Sequence, residues 1–82
     1  MLVHLKKAVA LDPRLAKAHF QLGVLYGDEG RYPEAIAALE EAVRLEPSMA
    51  QAHYRLAQAY RRTGQEERAA KALEAFGRLQ PQ

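Results

Sequence analysis

The chain has no cysteine, no tryptophan and only one serine, with four prolines and five glycines among its 82 residues. Without cysteine it forms no disulfide, offers no thiolate to zinc and has no thiol nucleophile; the redox compartment stays open. No apolar run approaches the roughly 18 residues that a membrane helix needs, so no membrane partner is expected. Lys6 and Lys7 follow Met1 too closely for a signal-peptide core to fit ahead of them. A cytoplasmic location is the corresponding expectation. Aromatic residues make up 7% of the chain and the net charge is only +2. That balance is far from the strongly basic surface of a nucleic-acid binder, so no nucleic acid is expected either. Catalytic signatures are missing as well: there is no Gly-rich phosphate loop and no His-Glu-x-x-His. The single serine, Ser48, lies beside Pro47, where helix capping accounts for it. Glu40-Glu41 and Glu66-Glu67 are adjacent pairs, and helix neighbours do not share a face. These absences argue against an enzyme and against a bound cofactor or metal.

What the chain does contain is helix-forming composition: sixteen Ala and eleven Leu, with 49% apolar and 27% charged residues. The ordinary apolar share and low net charge exclude disorder. At this length the chain is one small domain, hiding about 60% of the surface it exposes unfolded.

Displacing the sequence by 34 residues aligns 16–48 with 50–82 at thirteen identical pairs of 33. They include Ala18/Ala52, His19/His53, Leu22/Leu56, Tyr26/Tyr60, Gly30/Gly64, Ala35/Ala69, Ala38/Ala72, Leu39/Leu73 and Pro47/Pro81. The same offset places Leu5, Ala8, Val9, Leu11 and Pro13 on Leu39, Ala42, Val43, Leu45 and Pro47. The chain therefore divides into the second half of one unit (1–13) and two whole units (14–47 and 48–82), and it reads as a piece of a longer array.

Each unit reads as two helices. Leu15, Ala18, His19, Leu22, Leu25 and Tyr26 recur at intervals of three and four, which makes one apolar stripe. Asp12-Pro13 is the expected start of that helix, with the Asp as cap and the Pro at the first helical position. Gly30 closes it and Gly64 closes its copy, because glycine tolerates a left-handed exit. Pro33 opens the second helix, whose stripe is Ile36, Leu39, Ala42 and Val43, and Pro81 ends the last one. Gly23 and Ala57 are small where a neighbouring helix must come close. No strand alternation occurs, and the fold class is all-α.

These marks resemble the tetratricopeptide repeat family: a 34-residue period with Leu22-Gly23, Tyr26, Ala35, Leu39 and Pro47, then Leu56, Tyr60, Ala69, Leu73 and Pro81. Departures from the pattern are His19 and His53 in a slot often held by Trp, Ala57 in place of Gly, Leu39 and Leu73 in place of Phe, and Phe76 in a slot that Ala8 and Ala42 fill in the other copies. The resemblance implies helix-turn-helix repeats stacked as an α-α superhelix. It also implies a non-catalytic protein-interaction scaffold whose concave groove holds a peptide or helical segment.

At 100° per residue, Lys17, Phe20, Val24 and Asp28 lie opposite the first stripe, and Gln51, Tyr54, Gln58, Arg61 and Arg62 occupy the equivalent face of the second unit. The resemblance makes this face the groove. Phe20, Val24 and Tyr54 then form an apolar platform for a partner, or lean sideways and seal the contact between units. Residues 48–82 carry six basic and three acidic side chains, a balance of +3, so an acidic component in the partner is expected. The branch of the family that clamps a terminal carboxylate uses a Lys, Asn and Arg set. Here Phe20 and Tyr54 replace its Lys, and Val24 and Gln58 its Asn, so that specificity is not expected. His19 and His53 fall on the core stripe with no carboxylate beside them, the setting of a half-buried ring bonded to backbone or water; His4 is expected to be exposed. The other expected association is with a second copy. Leu2, Leu5 and Val9 at one end, and Leu73 and Phe76 at the other, lack a neighbouring helix, which predicts a weak homodimer unless Phe76 folds over its own surface.

Overall fold

The computed structural model describes residues 15–80, in which four helices follow one another. They are α1 (Ala16–Asp28), α2 (Tyr32–Leu45), α3 (Ala50–Arg62) and α4 (Glu66–Leu79). Leu2, His4, Leu5, Val9, Asp12, Pro13 and Pro81 lie outside the described residues.

The helix exits follow directly from glycine. Gly30 and Gly64 have φ of 78° and 77°, the left-handed region that a Cβ disfavours. At the first exit Gly30 N–H donates to the Gly27 carbonyl at 3.0 Å and Arg31 N–H to the Tyr26 carbonyl at 2.8 Å. At the second, Gly64 and Gln65 do the same to Arg61 and Tyr60, at 3.1 and 2.8 Å. This double bond is the Schellman arrangement, which satisfies carbonyls that the helix end leaves open. It also reverses the chain in three residues, so α1 and α2, and likewise α3 and α4, pack as antiparallel pairs.

The helix entries differ from the sequence expectation. α1 begins at Ala16 after an extended Leu15. α3 begins at Ala50 with Met49 in the cap position, and neither Ser48 nor any other side chain caps it. The Pro-Ser pair sits instead in a turn in which Met49 N–H donates to the Glu46 carbonyl at 3.1 Å. Pro33 does fall in the first turn of α2, as expected.

Two clusters form the core. Leu22 and Tyr26 of α1 meet Ala35 and Ala38 of α2. Leu39 then joins Leu56, Ala57, Tyr60, Ala69 and Ala72, tying the first pair to the second. Leu39 is 2% exposed and fits only because Gly23 faces it: a Cβ on Gly23 would lie 2.5 Å from Leu39 Cγ. Leu15 departs from its stripe and is 45% exposed.

Candidate functional site

α1 and α3 lie side by side with only a thin contact, and a cleft of about 580 Å³ opens along them. Val24, Gly27 and Asp28 of α1 line one side, and Tyr54, Gln58, Arg61 and Arg62 of α3 the other. The buried Ala35 and Leu39 of α2 lie at its bottom. The cleft exists because Gly23 and Ala57 let α1 and α3 settle deeply onto the neighbouring helices, while their longer side chains stand on either side.

The structure thus brings together Val24, Asp28, Tyr54, Gln58, Arg61 and Arg62 from the face read in the sequence. Lys17 and Gln51, nearer the helix starts, are exposed but do not line the cleft. Phe20 does not line it either. It is half-buried and packs on the cluster around Leu39 and Leu56, so it has the core contact that its position on α1 alone did not reveal. Leu73 is half-buried, packs on the same cluster and reaches the cleft. Phe76 is half-buried with its ring against Tyr54, centroids 5.1 Å apart. Ala69 and Ala72 are buried against α3. Tyr32 and Arg55 also line the cleft. Tyr32 is the first residue of α2, ahead of its apolar stripe, so no periodic signal marked it.

Charge is distributed unevenly. Arg31 pairs with Glu29 and Glu34, Arg44 with Glu41, and Arg78 with Glu74. Arg55, Arg61 and Arg62 make no ion pair among the described residues. Arg61 and Arg62 occupy the last turn of α3, where a positive charge complements the negative end of the helix dipole. The α3 side of the cleft is therefore basic, with guanidinium donors open to an incoming carboxylate, while Asp28 of α1 is the one carboxylate among the residues lining it.

Two polar contacts brace this framework. Tyr60 donates its hydroxyl proton to Glu40 across the α2–α3 seam. Burial, together with that hydrogen bond, pushes the Tyr60 hydroxyl up to about 12. His53 bonds through Nε2 to the Pro47 carbonyl at 2.9 Å. A carbonyl only accepts, so the proton sits on Nε2, and the ring anchors α3 to the turn before it. Among the described residues no three His, Cys, Asp or Glu side chains converge. No helix among them is long and apolar enough to cross a membrane.

A tetratricopeptide repeat model matches residues 20–82. Solved structures of MamA share the fold. A crystal structure of MamA superposes with a TM-score of 0.90 at 27% identity, over 95% of this chain and 46% of that one. MamA AMB-1 gives 0.87 at 29% identity, over 93% and 45%. MamA MSR-1 gives 0.84 at 29% identity, over 92% and 43%. The chain spans a little under half the length of each of these structures. No curated protein matches it.

Proposed function

The chain belongs to the tetratricopeptide repeat family of protein-interaction scaffolds, and we propose that its cleft holds a partner segment carrying both apolar and acidic side chains. The observation that carries this reading is the pairing state of the arginines. Of the four described arginines that do not line the cleft, Arg31, Arg44 and Arg78 are each engaged by a nearby glutamate, and Arg68 is not. The three lining the cleft are not. Val24 and the 42% exposed Tyr54 supply apolar surface beside them. Such a ring, on a stiff helix, gives up little conformational freedom when a partner covers it, which suits it to anchor a segment. Carboxylates on the segment would meet Arg55, Arg61 and Arg62 on the basic side.

Selection of short displayed peptides against the full chain, with counter-selection against Val24→Asp, tests this reading. The expected winners combine Leu or aromatic residues with Asp or Glu. Their affinity falls about 10-fold or more in Tyr54→Ala, the loss of a modest anchor, and also in Arg61→Glu/Arg62→Glu, with helicity intact. Winners that bind all these variants as well as the parent chain would contradict it.

A further inference from the structure

The two units differ on the face that receives a neighbour. α3 seats on the first unit through α2, where Leu39 is 2% exposed and Ala42 is wholly buried. Phe20, Ile36 and Val43 flank that seat and pack on the cluster to which α3 contributes Leu56, Ala57 and Tyr60. Adding 34 to these positions gives the corresponding face of the second unit: Tyr54, Ala70, Leu73, Phe76 and Gly77. Ile36 and Val43, the aliphatic flanks of the seat, become Ala70 and Gly77, both exposed. Ala42, which has no exposed surface, becomes Phe76. A ring at that position does not fit under a helix seated on α4 as α3 is seated on α2, since a close-packed seam has no space for the added volume. The ring is not left open. It is half-buried against Tyr54, with centroids 5.1 Å apart and planes inclined at 44°, within the range that aromatic pairs prefer. Tyr54 is 42% exposed, whereas its counterpart Phe20 is half-buried in the seam. Even the polar contact changes hands: Glu40 accepts from Tyr60 across the seam, while its counterpart Glu74 is paired with Arg78 on its own helix.

We propose that the Tyr54–Phe76 pair closes the stack, so that the outer face of α4 does not accept another helix pair in the register by which α3 seats on α2. Phe76 then serves its own unit as a cover over Leu73, rather than acting as a knob for a second copy. This inference is independent of what the cleft binds.

The test is a chain extended by a second copy of residues 49–82 directly after Gln82, which preserves the 34-residue period. The appended first helix then arrives at α4 as α3 arrives at α2. In stacked repeats, stability and the surface exposed on unfolding grow together with length. With Tyr54 and Phe76 in place, the extended chain is expected to keep the urea midpoint and slope of the parent. Introducing Ala70→Ile, Phe76→Ala and Gly77→Val at the junction is expected to raise the midpoint and to increase the slope by about 40%, in proportion to the added length. Stacking in the unmodified extended chain would overturn the proposal, and so would failure of the restored junction to stack. Circular dichroism of the unextended triple variant checks that it folds. If it does not, Phe76→Ala alone takes its place and is held to the same outcome.

Discussion

Gly23 and Leu39 show how a single pair of residues sets the spacing of two helices. Leu39 is nearly inaccessible, and a methyl group on Gly23 would sit 2.5 Å from its Cγ and 2.8 Å from its Cδ2. Alanine favours the helix by about 1 kcal/mol over glycine, but overpacking a filled core costs about 1–3 kcal/mol. Because the clash falls on the branch carbon as well as on a methyl tip, turning the tip away does not relieve it, and the clash wins. Gly23→Ala should therefore lower the urea midpoint. In a Leu39→Ala background the same substitution should become neutral or favourable, a coupling that a double-mutant cycle reads directly. Tyr60 provides a second residue-scale test. Its hydroxyl sits at about 12 in the fold against an ordinary value of 10.0, so folding favours the protonated form. That contribution is complete below pH 10.0 and is lost as pH rises towards about 12. Other tyrosines titrate in the same range, so the relevant quantity is the difference from Tyr60→Phe. The variant should be less stable at neutral pH by about 0.5–1.5 kcal/mol, and the gap should shrink through that window. A gap independent of pH would show that the hydroxyl does not bridge to Glu40.

At the scale of helices, the exits were easier to read than the entries. Gly30 and Gly64 end α1 and α3 because the left-handed conformation requires them, and that requirement is written in one residue. Helix entries have no such single mark here. α1 to α4 all begin without a side-chain cap, so Ser48 as a cap pointed to a start one residue ahead of Ala50. Alanine at Gly30 or Gly64 should cost about 1–2 kcal/mol each, measured by urea unfolding. Gly77 is the control: it lies within α4, and nothing stands within 4 Å of an added Cβ. Alanine there should raise stability by about 0.5–1 kcal/mol. If all three positions respond alike, the exits do not depend on left-handed geometry. Phe20 shows a different limit of element-scale reading. Angles about α1 describe α1 alone and do not show that the seam with the second unit lies close enough to cover the ring. The same limit hid Tyr32, whose place in the cleft depends on how α2 enters beside α1.

For the whole molecule, the 34-residue period carried the architecture because each unit repeats the same packing problem: a small residue at the close approach, a Leu and a Tyr beside it, and a glycine exit. The cleft follows from the stacking and was legible wherever the exposed face of one helix decided it, at Val24, Tyr54, Gln58, Arg61 and Arg62. Its buried bottom at Ala35 and Leu39 required the packed structure. Binding of an acidic segment to the cleft is expected to weaken as salt is added, because exposed charges are screened over about 10 Å at 0.1 M salt. The most direct measurement is an amide chemical-shift map of the isotope-labelled full chain, titrated with an acidic, leucine-containing peptide taken from the selection. The account predicts that Val24, Gly27, Tyr54, Gln58 and Arg61 shift together and saturate along one binding curve, while the exposed outer side of α4 around Lys71 and Arg78 stays still. Shifts concentrated on that outer side, with the cleft amides unmoved, would contradict it.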